Sequence, residues 1–185
     1  MSPMLVVDGC LVAVVAAAAL VDLKTGKVPN WLTYPASALG LLVWGIAEGW
    51  PGLGGSAAGF AVGFVPLFVF YRTGAGLGGG DVKLMGAVGA LRGWPFIVVA
   101  MFYSFIVAAA MGVVLMIWRG ETRATLRRIG RTLKSVALPG ATILSPSAPE
   151  SIQVPFAACV CLGTAWALIE ATLRHSLWEA IRLLV

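Results

Sequence analysis

The chain has 185 residues, of which 59% are Ala, Val, Ile, Leu, Met, Phe, Trp, Tyr or Cys and only 11% are Asp, Glu, Lys or Arg. A soluble domain carries roughly 25% charged residues, so this composition, with a mean hydropathy of +0.93, describes an integral membrane protein. It excludes a soluble enzyme, a disulfide scaffold, a disordered chain and an ordinary nucleic-acid-binding domain; the net charge of +5 reads as membrane sidedness.

The first apolar run is Met4–Val21. No Lys or Arg precedes it and Asp8 lies within it, so it reads as a retained span and not as a secretory signal. Turn residues Thr25-Gly26 and Pro29-Asn30 separate it from Trp31–Ala47, and Gly49–Gly55 separates that run from Ser56–Tyr71. Gly74–Gly80 leads into a short run, Val82–Leu91, followed by Pro95–Trp118 and Val154–Glu170. A crossing needs roughly 20 residues at 1.5 Å apiece, whereas residues 81–93 rise only about 20 Å. Hydropathy therefore leaves that run open.

The basic residues decide it. Lys24 and Lys27 follow the first run, Arg72 and Lys83 flank the glycine segment, and Arg119, Arg123, Arg127, Arg128, Arg131 and Lys134 follow Trp118. Cytoplasmic loops carry the excess of Lys and Arg, and these clusters share one side only if Val82–Leu91 crosses. The expected fold is all-α and polytopic, with six transmembrane helices and both termini outside. It forms a single domain over residues 1–185, with a basic cytoplasmic loop at 119–135, an irregular linker at 139–153 and an amphipathic tail at 171–185. Leu126, Ile129, Leu133 and Val136 in the loop, and Leu173, Leu177, Ile181 and Leu184 in the tail, recur at the spacing of interfacial helices. The loop either binds anionic head groups or is simply solvated.

Acids are scarce, with eight in the chain, and two stand apart. Asp22 ends the first span and Asp81 opens the fourth, so both arrive at the cytoplasmic boundary. Two adjacent carboxylates cannot both ionise readily, because like charges raise one pKa. The shared proton makes one group an acid while the other activates water, and the pair titrates as a unit. Gly78, Gly79 and Gly80 lack a Cβ and permit close approach of an extended peptide backbone. Taken alone, the two aspartates read equally well as interfacial anchors or helix caps. Lys83 either tunes a carboxylate or binds substrate backbone, or it is a cytoplasmic anchor.

Other residues have plainer readings. Gly55, Gly59 and Gly63 put small residues on one helix face, suited to close packing. Cys10, Cys159 and Cys161 sit in apolar runs without a C-x-x-C pair, and His175 is alone, so no metal site is expected. A small ion-coupled or proton-relay transporter using the same carboxylates is the alternative function, but transporters place coupling charges near the bilayer midplane. A non-catalytic membrane scaffold is a third reading.

Gly78-Gly79-Gly80-Asp81-Val82-Lys83-Leu84 resembles the G-x-G-D-x-K-L signature of the type IV prepilin peptidases, the GxGD intramembrane aspartyl proteases. Asp22 with Lys27-Val28-Pro29-Asn30 resembles the segment holding that family's first aspartate, and Val154-Pro155-Phe156-Ala157-Ala158 with Gly163 resembles its last span. The resemblance covers roughly residues 5–170. It implies a membrane aspartic endopeptidase with Asp22 and Asp81 as catalytic pair. Gly78, Gly80, Lys83, Lys27, Pro29 and Asn30 would be supporting or substrate-binding residues, and no metal or cofactor is implied. The implied substrate is a prepilin or pseudopilin with a basic leader and an apolar helix, cleaved at their junction, often after Gly. The implied location is the bacterial inner membrane, with the pilus assembly machinery as an indirect partner and no nucleic acid. Larger bifunctional members carry a cytosolic insertion with paired C-x-x-C motifs after the first span. Here that span runs directly into Asp22, so the chain is similar to the short peptidases of Tad/Flp-type pili, and N-methyltransferase activity loses its main support.

Overall fold

A computed structural model describes residues 3–73, 77–118, 120 and 155–184, without the side chains of Pro3 and 175–184. Apart from Gly120, the expected basic loop and the 139–153 linker lie outside the described residues, as do the tail side chains from His175 onward. Among the described residues the chain is all-helical: α1 Pro3–Thr25, α2 Asn30–Glu48, α3 Trp50–Arg72, α4 Gly79–Arg92, α5 Trp94–Trp118 and α6 Phe156–Leu184. Four stretches are long and apolar enough to cross a membrane: Met4–Thr25, Trp50–Arg72, Trp94–Trp118 and Phe156–Arg174. The outer surface is itself apolar, with Leu42, Ile46, Phe70, Phe102, Ile117 and Leu162 all exposed. A soluble protein does not present a surface of that kind over its whole circumference.

The helix boundaries follow local chemistry. Gly26 takes φ +66° and its N–H donates to the Asp22 carbonyl at 2.7 Å, ending α1 in a left-handed residue. The stretch Gly49–Gly55, expected as a linker, is mostly helix. Gly49 alone makes the turn at φ +67°, and Pro51 sits in the first turn of α3, where its missing N–H costs nothing. Gly52 is needed because α2 passes so close that a Cβ would strike the Trp44 carbonyl. The tail at 171–184 continues α6 without a break.

The short α4 is the centre of the bundle, touching all five other helices. Val82 and every residue from Leu84 to Leu91 are buried. Its 14 residues rise only about 21 Å, and burial removes the need for more, because α4 meets protein where a lipid-facing helix would have to match the hydrocarbon. Its last carbonyls are satisfied sideways: Ser56 Oγ donates to Ala90 O at 2.6 Å and Trp44 Nε1 donates to Leu91 O at 2.7 Å. Unpaired carbonyls there would cost several kcal/mol in hydrocarbon (of order, per group).

Contacts along α4 set the helix directions. Ser56, Gly59 and Gly63 of α3 meet Ala90, Gly89 and Met85 in turn, so α3 runs antiparallel to α4. On α2, Asn30 meets Lys83 and Trp44 meets Leu91, so α2 runs parallel to it. Asp8 near the start of α1 pairs with Arg92 at the end of α4, making α1 antiparallel as well. Gly59 and Gly89 pack backbone to backbone, with no room for a Cβ on either. In lipid, where apolar burial gives little drive between helices, such close packing carries much of the association.

Candidate active site

Asp22 lies in the last turn of α1, and its residue is only 8% exposed. A carboxylate at a helix C-terminus faces the negative end of that helix's dipole, which disfavours it. The compensation comes from α6. Pro155 precedes that helix, and the N–H of Ala157 in its first turn donates to Asp22 Oδ2 at 3.1 Å. Asp22 therefore sits at the unfavourable end of its own helix and the favourable end of another.

Asp81 lies in the first turn of α4, where an acid suits the dipole. Gly78 is extended at φ −76° and ψ 139°, and Gly79 is the first helical residue. The Asp81 carboxyl folds back over this turn, so a Cβ on Gly78 would lie 2.8 Å from Asp81 Oδ2. Gly80 faces the loop after α1: a Cβ there would stand 2.8 Å from the Val28 carbonyl oxygen and 3.0 Å from Val28 Cβ. Gly78 and Gly80 thus serve two close approaches, one to the aspartate and one to the facing loop.

Between these segments lies a cavity of about 340 Å³. One wall is Asp22 with Gly26, Lys27 and Val28, and the other is Gly78 to Asp81. The expected site residues Asp22, Asp81, Gly78, Gly80 and Lys27 are brought together here, and four of the eight lining residues are glycines. Pro29, Asn30 and Lys83 are set back from it. Lys83 Nζ donates to Asn30 Oδ1 at 2.8 Å and lies 5.1 Å from the centre of the Tyr34 ring. Lys83 thereby ties the start of α4 to the start of α2, with Pro29 at φ −77° as the residue before α2.

Three contributors escaped the sequence reading. The backbone N–H of Ala157 carries no side-chain signature; its signal is Pro155, which starts a helix and leaves the first N–H groups free. Tyr34 supplies a ring face to Lys83, one helical turn after Asn30. Tyr71, at the end of α3, stands beside Gly79 with ring carbons 3.5 Å from where a Cβ would be.

Residues 10–113 match the type IV leader peptidase family. The chain is 35% identical over 118 residues to a prepilin leader peptidase/N-methyltransferase of Burkholderia pseudomallei, covering 61% of this chain and 38% of that protein. A protein of the same name from Aeromonas hydrophila is 34% identical over 114 residues, with 58% and 39% covered. One from Pseudomonas putida is 30% identical over 122 residues, with 62% and 41% covered. The chain thus spans about two fifths of the length of these curated relatives. No solved structure matches it. With the matched stretch holding Asp22, the glycine segment and Asp81, the chain belongs to the type IV leader peptidase family.

Proposed function

We propose that the chain is a membrane aspartic endopeptidase that removes the basic leader from prepilin-like substrates at the cytoplasmic boundary of the inner membrane. The observation that carries the reading is the pair of carboxylates, Asp22 and Asp81, delivered by two different helices to one glycine-rich cavity. All six helices cross in this reading, α4 inside the bundle, and both termini lie outside. Lys24, Lys27, Arg72 and Lys83 then mark the cytoplasmic end. The peptidase half of the relatives' name is the half proposed for this chain.

The chemistry follows from one proton held between two carboxyls. The ionised carboxylate takes a proton from water as the water oxygen bonds to the scissile carbonyl carbon. The protonated partner donates to the carbonyl oxygen; on collapse the first carboxyl gives the proton it took from water to the leaving amine, the C–N bond breaks, and the partner takes a proton back from a hydroxyl as the new carbonyl forms. Such general acid–base assistance contributes about 10²–10⁴-fold. A substrate backbone lying between Val28 and Gly78 meets glycines, and so approaches without side-chain obstruction.

The direct test is leader removal from a co-reconstituted prepilin, followed by gel shift and by mass of the new terminus. A single cut between leader and apolar helix is expected; an unprocessed prepilin beside well-folded protein would overturn the reading. A narrower test lies at Gly80. Gly80→Val places a side chain against the Val28 backbone and is expected to lower kcat/KM between about tenfold and 10²-fold, the range that a small misplacement produces. Gly54→Ala, where a Cβ meets nothing within 4 Å, is expected to cleave like the unsubstituted chain.

A further inference from the structure

The end of the bundle opposite the cavity carries an ion pair that the proposed chemistry does not use. Arg92, the last residue of α4, has Nε 2.7 Å from Asp8 Oδ1, and its Nη2 donates to Asp8 Oδ2 at 3.2 Å. The Arg92 side chain is 15% exposed and that of Asp8 31%. The guanidinium also lies 5.4 Å from the centre of the Phe96 ring, and Nη1 is 3.2 Å from Met4 Sδ. A charge so placed in an apolar helix is costly unless paired, and ionisable residues in such segments are kept for a purpose. One charge-assisted hydrogen bond, from Nη2 to Oδ2, and the close approach of Nε to Oδ1 join the two helices at this point.

The placement of the pair along the two helices points to that purpose. Fourteen residues separate Asp8 from Asp22 on α1, and eleven separate Asp81 from Arg92 on α4. At 3.6 residues per turn these intervals return to within about 40° and about 20° of their starting directions. Each helix therefore carries its two polar residues on nearly one face, with buried Leu11, Val15 and Ala18 between them on α1. The α1–α4 contact is smaller than that of α1 with α6 or of α4 with α3.

We propose that the Asp8–Arg92 ion pair sets the axial register of α1 against α4, and through these two rods the separation of Asp22 and Asp81 at the far end. Asp8 and Arg92 are positioning residues: they lie about 16–21 Å of helix away from the aspartates and act only through them. The link to catalysis rests on the peptidase reading, while the register itself is measurable without it.

The test uses the full chain in liposomes, with Cys10, Cys159 and Cys161 replaced by Ala and with Asp22→Cys and Asp81→Cys. Bifunctional thiosulfonate reagents of graded span then report the separation at the cavity. With Asp8 and Arg92 intact, one short reagent is expected to dominate. Arg92→Gln is expected to lower its yield at least about fivefold and to shift the optimum to longer reagents. Arg92→Lys, which keeps one contact and folds more readily, gives an intermediate profile. Exchanging the charges, Asp8→Arg with Arg92→Asp, restores the short-reagent optimum. An unchanged profile in both Arg92→Gln and Arg92→Lys, or an exchange no better than the single variants, would overturn the proposal. In the chain with native aspartates, Asp8→Asn is expected to lower kcat by up to about 10²-fold with KM unchanged, and the exchange to recover it. A loss of folded protein alone would not move the cross-linking optimum. Absence of leader removal by the unsubstituted chain would count against the peptidase reading and leave the cross-linking result to decide the register.

Discussion

Replacing either Asp22 or Asp81 by Asn is expected to slow leader removal by at least about 10³-fold, within the range for loss of a positioned acid or base. The change is nearly isosteric, so the loss is separable from misfolding. At position 22 the amide oxygen of Asn still accepts the Ala157 N–H, the hydrogen bond that joins the end of α1 to the start of α6. At position 81 the side chain remains beside Gly78 and the helix dipole loses only its charged partner. Folding and membrane insertion, read by thermal unfolding in detergent, are therefore expected to stay close to those of the unsubstituted chain. The double variant is expected to be no slower than either single one, because residues acting as a unit are not additive. Full processing by one single variant would sink the dyad.

In the proposed chemistry the same pair sets the sign of the pH response. At low pH both carboxyls are protonated and nothing accepts the proton of water. At high pH both are ionised and nothing donates to the carbonyl oxygen. A bell-shaped profile of kcat/KM is expected, whose two limbs belong to the pair and not to either residue. Asp22→Asn removes the coupling and is expected to abolish the bell in whatever residual activity survives.

The second large effect concerns packing. Gly89→Leu, or Gly59→Leu on the facing helix, is expected to prevent α3 from seating on α4. The two glycines meet backbone to backbone, and a side chain on either would strike the carbonyl of the other. Backbone cannot yield as a flexible side chain can, so the cost reaches or exceeds the usual overpacking range of about 1–3 kcal/mol. Even Gly89→Ala is expected to lower the thermal midpoint in detergent measurably, while Gly112→Ala, with nothing within 4 Å of its Cβ, leaves it unchanged. Because α4 carries Asp81 and Lys83, displacement of the helix is expected to cost activity in parallel. An unaltered midpoint in Gly89→Leu would show that α3 and α4 are not held by this contact.

Membrane class, the helical runs and the two aspartates were legible in the chain, because each depends on neighbours in sequence. Scarce charge made every acid and base countable, and the glycine segment before Asp81 is a local pattern. Helix ends at Gly26 and Pro29 were legible for the same reason. The start of α3 was not: Gly49–Gly55 reads as a turn, yet only Gly49 turns, and Gly52 is there for the approach of α2, a contact that sequence does not announce.

What tertiary structure alone decided is who meets whom. Length left the run Val82–Leu91 open and charge placement made it cross; the structure adds that it is the most enclosed of the described helices, packed against protein on all sides. The donor to Asp22 is the backbone N–H of Ala157, in a last-helix segment that the sequence singles out without naming its partner. Lys83 was open between tuning a carboxylate, binding substrate and anchoring the chain; its partner, Asn30, is on another helix. Asp8 and Arg92 look like unrelated charges at two span ends until α1 and α4 are laid antiparallel. Sequence determines which segments bury apolar surface and where charge can reside, since those are sums over nearby residues. Distances between helices depend on close packing among several of them at once, and only the folded bundle specifies those.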